Sequence, residues 1–417
     1  MRKQEIMAGL GVTSLLLLLI FGCGGGGGGG GNGGGGTGTP VTITITGAAF
    51  VAVQDGKTGT WQRLSGSGPN YNFNVTATDG RYSVAWVCGG DKPQVNIVHA
   101  TTAETTSIAA TCPSTASTIN VSGSVLGLGS GQVALVSFGS QTQAVPINGG
   151  NFNFTLTPGT YDIIAVRSGN SGPNRVWLQR NVSINNSTSG LSIDFNQLDG
   201  TVVRVFDVSA GTLTVTGADP SETVTSQVAL QSSGRLSLLT VGLLTVQYPI
   251  FPAGIIGPGE SFRILVVSEA QRGEVRGLNS LPDSLSIALP APFNSPGFNF
   301  TSTGALAFTV TWGTYAESPT RGYLLTLGGD QQQRSWRILI SAGWLGSDTQ
   351  YTTPVLNTLS GWNSAAWDIQ RGRPVDASFT VLVSSSPVQD LLGYERTSIA
   401  PAGFGLRFAT RTVTLTL

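Results

Sequence analysis

Residues 151–163 read NFNFTLTPGTYDI, and this stretch decides the fold. Phe152, Phe154 and Leu156 alternate with Asn and Thr, as expected of a strand that buries one face and exposes the other. A Pro-Gly pair then supplies a turn, and a second apolar run begins at Tyr161. The stretch therefore predicts two strands joined by a short turn, with aromatic side chains in the core.

The same pattern occurs about 80 residues earlier in the chain. Residues 70–76 (NYNFNVT) match residues 151–157 (NFNFTLT) at an offset of 81, and the apolar run that follows matches at an offset of 79. The two-residue difference falls in the turn, where insertions are tolerated. Residues 41–113 and 117–198 are therefore predicted to be two copies of one β-sandwich.

Strand-like segments continue to the end of the chain. Short runs of Val, Ile, Thr, Phe and Tyr alternate with Gly, Asn, Ser and Pro clusters. Short strands separated by such turn-forming clusters are typical of β-sandwiches and not of folds in which strands and helices alternate. We predict a third β-rich domain over residues 200–295 and a fourth β-sandwich over residues 300–417. The expected fold class is all-β, with tandem antiparallel β-sandwich domains of Ig-like or transthyretin-like type.

The first 39 residues predict an export signal and a tether. Arg2 and Lys3 precede an apolar run over residues 6–21. As a helix that run spans about 24 Å, which is short of the ~30 Å hydrocarbon core and favours a signal segment over a permanent span. Residues 24–36 are glycine apart from Asn32, so residues 23–39 are predicted to be a disordered linker.

The end of the apolar run, Ile20-Phe21-Gly22-Cys23, resembles the lipobox of bacterial lipoproteins. The resemblance implies a signal peptide over residues 1–22, cleavage before Cys23 and lipidation of Cys23, with palmitate among the acyl groups. Phe21 is bulkier than the usual residue. The alternative is an uncleaved membrane anchor that ends in an incidental cysteine.

Gly24, rather than Asp, follows the cysteine, which resembles lipoproteins that are sent to the outer membrane of two-membrane bacteria. We therefore expect a protein of the cell envelope, in contact with the membrane through its lipid. It lies in the outer membrane if the cell has two membranes.

Two further resemblances concern the folded part. Residues 121–125 (VSGSV), 150–154 (GNFNF) and 156–163 (LTPGTYDI) resemble carboxypeptidase-regulatory-like, or transthyretin-like, domains, which implies a non-catalytic spacer or interaction unit. In the fourth domain Trp312 ends an alternating run and Tyr323 follows eleven residues later. This spacing resembles the Trp-to-Tyr pair on adjacent strands of fibronectin type III domains, although the family's later Tyr is absent.

Composition excludes several kinds of chemistry. The 22 basic residues balance the 22 acidic ones, whereas a nucleic-acid binder carries a basic excess. The chain has one histidine, His99, and no Gly-x-Ser-x-Gly motif, so we expect no catalytic residue, no metal site and no cofactor. A glycosidase-type pair of carboxylates meets in space and not in sequence, so an envelope hydrolase stays open as an alternative.

Two cysteines remain after the predicted cleavage, Cys88 and Cys112. An exported protein meets oxidising surroundings, and an even count fits one disulfide between them. The alternative is two free buried thiols.

The fourth domain contains five of the eight tryptophans. Trp344, Trp362 and Trp367 lie among Gly, Ser and Asn, so we expect them in loops. Exposed aromatic rings in loops can stack on sugars or contact a protein partner, which makes the three the candidate ligand-binding residues. The alternative is that they close the ends of the sandwich.

Together these observations predict a non-catalytic cell-envelope lipoprotein that acts as a structural or adhesive surface element. In this interpretation the lipid anchors the N-terminal end in the membrane, and the glycine-rich segment is a flexible linker. The stiff modules then project the C-terminal surface away from the membrane. The first alternative is a carbohydrate-binding surface protein that uses the C-terminal Trp loops on envelope or extracellular polysaccharide. The partners expected are the membrane, polysaccharide or other surface proteins.

Overall fold

A computed structural model describes residues 38–416, apart from residues 67, 114–116, 295–296, 304–306 and 330–331. These residues form 29 strands and three short helices, which confirms the all-β fold. The predicted signal peptide, Cys23 and nearly all of the glycine-rich linker lie outside the described residues. Within the described range, no helix combines the length and the apolar character needed to span a membrane.

The first unit, residues 39–112, is a sandwich of two sheets. Its strands are β1 (Thr39–Thr46), β2 (Ala48–Asp55), β3 (Trp61–Arg63), β4 (Asn70–Val75), β5 (Arg81–Cys88), β6 (Gln94–Thr101) and β7 (Ser107–Thr111). In the small sheet β1 lies between β4, which is antiparallel to it, and β7, which is parallel. The large sheet has the order β6-β5-β2-β3. Val41, Ile43 and Ile45 alternate with Thr along β1 and are buried between the sheets.

A disulfide joins the two sheets of the first unit. Cys88 ends β5 and Cys112 follows β7, and their Cα atoms are 5.2 Å apart. The predicted disulfide is therefore present, and the alternative of two free thiols is not. Cross-linking residues separated by 24 positions stabilises the fold by about 3–4 kcal/mol in the chain-entropy model.

Two further units repeat this strand order. The second contains β8 (Ile119–Leu126), β9 (Val133–Phe138), β10 (Gln141–Val145), β11 (Asn151–Leu156), β12 (Gly159–Gly169), β13 (Gly172–Ile184) and β14 (Thr188–Asp194), followed by β15 (Val203–Asp207). The third contains β16 (Ser209–Thr216), β17 (Val224–Ser232), β18 (Arg235–Gly242), β19 (Thr245–Ile250), β20 (Ser261–Ser268), β21 (Arg272–Leu278) and β22 (Ser284–Ala288). In each small sheet the unit's first strand again lies between its fourth and seventh strands. The third unit is thus a copy that the sequence pattern did not reveal.

The second and third units pack closely against each other. Strand β15 falls in the range predicted for the third domain, yet it pairs with β13 at the edge of the second unit's large sheet. Ile164 of β12 shares a core with Leu239 of β18. Arg180 donates two hydrogen bonds to the carboxylate of Glu260, at 2.7 and 2.8 Å.

The fourth unit is a sandwich with three short helices in its connections. It contains β23 (Asn299–Thr303), β24 (Ala307–Thr311), β25 (Thr320–Gly328), β26 (Ser335–Ser341), α1 (Ala342–Leu345), β27 (Gln350–Thr352), α2 (Ser364–Trp367), β28 (Pro374–Val383), α3 (Val388–Thr397) and β29 (Gly405–Thr416). The small sheet is β23-β24-β27, and the large one is β26-β25-β28-β29. The rings of Trp312 and Tyr323 lie 4.8 Å apart, so this pair contacts across the two sheets.

The large sheets of three units join into one sheet of twelve strands. The order is β18-β17-β20-β21 from the third unit, β29-β28-β25-β26 from the fourth and β6-β5-β2-β3 from the first. Strand β29 pairs with β21, and β26 pairs in parallel with β6. We call this the shared sheet.

The shared sheet contradicts the expectation that a row of modules projects a C-terminal surface. The fourth unit lies between the third and first units instead of at one end. The physical reason is that β6 and β21 are edge strands of their own units, and an unpaired edge is satisfied by adding another strand. The C-terminal unit supplies a strand to each of these edges.

Candidate functional site

The single histidine lies in a polar row that crosses the shared sheet. Gln54, Ser83 and His99 are cross-strand neighbours on β2, β5 and β6. The Oγ atom of Ser83 lies 2.7 Å from Nδ1 of His99, and Oη of Tyr351 lies 2.7 Å from Nε2. Because a neutral imidazole donates at one nitrogen and accepts at the other, both nitrogens are satisfied.

The Ser83–His99 contact has the distance of a nucleophile–base pair but not its surroundings. His99 is 3% exposed and Ser83 is 0% exposed, so a substrate has no access to either. Burial, and secondarily the charge of Lys57, lower the pKa of His99 to about 3. The imidazole is therefore neutral at pH 7 and joins the first unit to Tyr351 of the fourth.

Trp344 covers this histidine. Its ring centroid lies 4.2 Å from that of His99, and its exposed fraction is 5%. Helix α1 places it there: the Oγ atom of Ser341 accepts a hydrogen bond from the Trp344 N–H, which caps the helix.

A carboxylate of the first unit fixes the start of α1. Oε2 of Glu104 accepts a hydrogen bond from Oγ of Ser341 at 2.5 Å, and Oε1 accepts one from the N–H of Gly343 at 2.9 Å. A Cβ atom on Gly343 would lie 2.6 Å from this carboxylate, so a larger residue would displace the carboxylate from its present position. The position of Trp344 thus depends on a residue of another unit.

Lys57 closes the other side of Trp344. Its Nζ atom lies 5.0 Å from the ring centroid, donates to the carbonyl of Leu345 at 3.1 Å and forms an ion pair with Asp348. A cation over a tryptophan face contributes about 0.5–2 kcal/mol, depending on how far it is desolvated.

The other two candidate tryptophans contact the same unit. The rings of Trp362 and Trp367 lie 5.4 and 5.6 Å from the ring of Phe50 on β2. Both are half-buried. Arg63 of β3 donates a hydrogen bond to the carbonyl of Ser360 beside them, at 3.2 Å. We use the term junction for this contact between the first and fourth units, formed by Phe50, His99, Trp344, Tyr351, Trp362 and Trp367.

The junction corrects the expectation for the tryptophans. Trp344 was predicted in an exposed loop, but it is buried on α1 and has no free face for a sugar ring. Trp362 and Trp367 present their rings to Phe50 and to each other, with centroids 5.1 Å apart. The structure favours the alternative in which these residues close a sandwich, here with the first unit as the surface that they cover.

Two surface depressions lie elsewhere on the described part of the chain. One, of about 460 Å³, is lined by residues 347–350 and Thr352, with Asp348 as its carboxylate. The other, of about 300 Å³, contains Glu269 as its carboxylate and Arg411. Neither brings together the two carboxylates of a glycosidase-type site. Among the described residues, no three His, Cys, Asp or Glu side chains are grouped as a metal site requires.

The buried ion pair between Arg272 and Glu222 has a structural role. Arg272 donates hydrogen bonds to both oxygens of Glu222, at 3.0 and 2.5 Å, and to the carbonyl of Pro290 at 2.6 Å. These bonds to Arg272 are the main reason why the pKa of Glu222 falls to about 2. The pair fixes the segment that leads from the third unit to the fourth.

The burial of His99 predicts that acid weakens the fold. Because the folded-state pKa is about 3 and the unfolded value is about 6.5, the unfolded chain binds one more proton between these pH values. Stability is therefore complete above pH 6.5 and falls as the pH decreases toward 3. We expect a loss of about 2 kcal/mol between pH 6.5 and 4.5, measured by urea unfolding.

His99→Gln is the matched variant for this measurement. Its stability should be lower at pH 7, and its loss between pH 6.5 and 4.5 should be much smaller than that of the wild type. The small loss that remains comes from carboxylates with lowered pKa values, such as Glu222, whose contribution begins to fall below about pH 5. An equal acid loss in the variant would contradict the assignment to His99.

Comparisons with known proteins do not place the chain in a family. No protein-family model matches it, and no curated protein matches it. The FN1-FN3 domains of chicken CNTN1 are 9% identical over 69% of this chain and 91% of that chain, with a TM-score of 0.18. The TIE protein of Bacillus anthracis is 12% identical over 60% of this chain and 49% of that chain, with a TM-score of 0.15. At these scores the likeness carries no argument, and the fold class rests on the sheets themselves.

Proposed function

We propose that the protein is a non-catalytic, lipid-anchored element of the cell envelope with a structural or adhesive role. One observation carries the proposal: the residues best suited to chemistry or ligand binding are used to hold the chain together. His99 is buried in the junction, Ser83 is buried beside it, and the three candidate tryptophans pack on the first unit. A body whose reactive groups are internal is suited to bearing load or presenting a surface.

The shared sheet supports a structural role. Three units are joined by backbone hydrogen bonds between strands, and the second unit packs on the third. Flexible linkers between domains allow relative motion, whereas continuous strand pairing and a common core oppose it. We propose that the described part acts as one stiff body.

The lipid anchor is the second part of the proposal. Its support is the lipobox-like sequence that ends at Cys23 and the glycine tether behind it. One acyl chain gives marginal membrane binding, and stable attachment takes two or more. The tether would let the stiff body stand away from the bilayer.

Metabolic labelling tests the anchor. In bacteria fed labelled palmitate, we expect the wild-type protein to carry label and to sediment with membranes. Cys23→Ala should lose the label and keep the uncleaved signal, whereas Gly24→Ala, a neighbouring change that keeps the thiol, should behave as wild type. A wild-type protein that stays unlabelled and washes off in detergent-free buffer would overturn the proposal.

A further inference from the structure

The outward faces of the four small sheets share one chemical character. Each small sheet buries one face against its large sheet and turns the other outward, because side chains alternate along a strand. In the first unit the outward positions of β1 are Thr42, Thr44 and Thr46, and those of β4 are Asn70, Asn72 and Asn74. The face is thus built of hydroxyl and amide groups.

The other three units repeat this composition. The outward cross-strand neighbours are Asn153–Ser122 and Asn151–Ser124–Ser192 in the second unit, Gln247–Thr212–Ser284 and Thr245–Thr214–Ser286 in the third, and Asn299–Thr311–Gln350 in the fourth, where Thr301 and Thr352 are also exposed. Adjacent strands are spaced by about 4.8 Å and outward residues along a strand by about 6.6 Å, so each face is a regular grid of neutral hydrogen-bonding groups.

Charge is nearly absent from these grids. Among the outward positions of the paired strands, the first, third and fourth faces carry no Lys, Arg, Asp or Glu, and the second carries Asp194 at the end of β14. Only 11% of the whole chain is charged, so the low charge of these faces follows in part from the composition. The feature that the four faces share is that hydroxyl and amide side chains predominate among their outward positions.

Side-chain bonds within the grids leave donors facing outward. Oγ1 of Thr44 donates to Oδ1 of Asn70, and Oγ1 of Thr155 donates to Oδ1 of Asn120, both at 3.1 Å. These bonds use the amide oxygen and not the NH₂ group. Each such asparagine keeps a donor for a partner, and its orientation is fixed in advance.

The composition discriminates between classes of partner. Anionic polymers and lipid headgroups are bound by Lys and Arg clusters, and protein interfaces by aromatic, Met and Arg anchors. The grids contain none of these. Neutral polyhydroxylated polymers offer what the grids can satisfy, namely many uncharged donors and acceptors along an extended chain.

The first and fourth small-sheet faces point to opposite sides of the shared sheet. Ile97 of β6 packs with Phe308 and Val310 under the fourth unit's small sheet, whereas the next residue, Val98, packs with Ile43 under the first unit's. Consecutive residues of a strand point to opposite faces. A polymer network that surrounds the protein could therefore engage several faces together, whereas one flat surface could not.

We infer that the four small-sheet faces are weak binding surfaces for a neutral polysaccharide, and that together they hold the protein in a polysaccharide layer. The inference rests on the proposed adhesive function and gives it a partner class. Each face is weak, because a hydrogen bond exchanged with water contributes about 0.5–1.5 kcal/mol. When one face has bound the polymer network, the other faces meet it at a high effective concentration. The overall affinity of several faces is therefore much higher than that of one face.

A fourfold variant tests the surfaces. Asn72→Glu, Asn153→Glu, Ser286→Glu and Gln350→Glu place one exposed carboxylate on each face. The control carries the same added charge at exposed loop positions: Ser65→Glu, Ser130→Glu, Asn185→Glu and Asn357→Glu. Full-length protein in detergent is incubated with insoluble neutral β-glucan particles and, separately, with alginate beads.

We expect wild type and control to bind the neutral glucan and not the alginate. The fourfold variant should bind the glucan at least tenfold more weakly, with an unchanged unfolding midpoint. Absence of glucan binding by the wild type, or equal binding by the fourfold variant, would overturn the inference. So would a wild-type self-association that the fourfold variant loses, because the faces would then contact a second copy. The palmitate experiment is independent of each of these results.

Discussion

A fragment of residues 38–299 is expected to aggregate, whereas residues 38–417 remain soluble. The shorter fragment lacks β24 to β29 and all but the first residue of β23, so β6 and β21 lose the strands that pair with them. Phe50, Val87 and Ile97 would also lose their cover from the fourth unit. Exposing each such side chain costs about 1.5–3 kcal/mol. The summed cost for a few side chains is a large part of a domain's free energy of unfolding.

Size-exclusion chromatography of the two fragments measures this effect. We expect less than a tenth of the 38–299 fragment in the monomer peak, because long open edges and bare apolar faces promote association. The 38–417 fragment is the control for removal of the N-terminal segment. A monomeric 38–299 fragment with the same melting temperature would show that the units are independent, contrary to the shared sheet.

Trp344→Ala is expected to lower the free energy of unfolding by about 3–5 kcal/mol, the range for truncating a buried Trp or Phe. The change removes the ring that covers His99 and the surface beneath Lys57. It also leaves a cavity at the junction, which neighbouring strands cannot fill without breaking the register of β26 with β6. Urea unfolding monitored by tryptophan fluorescence measures the loss.

Two variants separate this structural role from ligand binding. Trp344→Phe keeps an aromatic ring on His99 and should cost less than Trp344→Ala. Trp362→Ala should also cost less, because Trp362 is half-buried. If Trp344→Ala kept wild-type stability but lost binding to a glycan, the structural role of this residue would be wrong and Trp344 would be a ligand contact.

The sequence predicts local structure well, because side-chain alternation is a local signal. The run around Phe152 and Phe154 became β11, and its earlier match became β4, in equivalent places. Cys88 and Cys112 were paired from their number and compartment alone. The third copy could not be predicted from the sequence. It shares the strand order of the first two units but not their repeated sequence motif.

The junction could not be predicted for a different reason. It joins residues more than 200 positions apart, such as His99 and Tyr351, and no local pattern encodes such a register. One signal was present in the sequence: Gln54, Ser83 and His99 are polar residues that lie next to apolar runs in their strands. Buried polar groups need partners, so these three residues indicated a contact without identifying it.

The parallel pairing of β6 with β26 also determines when the first unit can finish folding during synthesis. Residue 101 leaves the ribosome 234 residues before residue 335, where β26 begins. At about 5–20 residues per second, roughly 10–50 s pass before the partner strand exists. The first unit to be synthesised is thus among the last to be completed. During that interval it resembles a client for holding chaperones, and a premature stop codon anywhere before β26 would leave it in that state permanently.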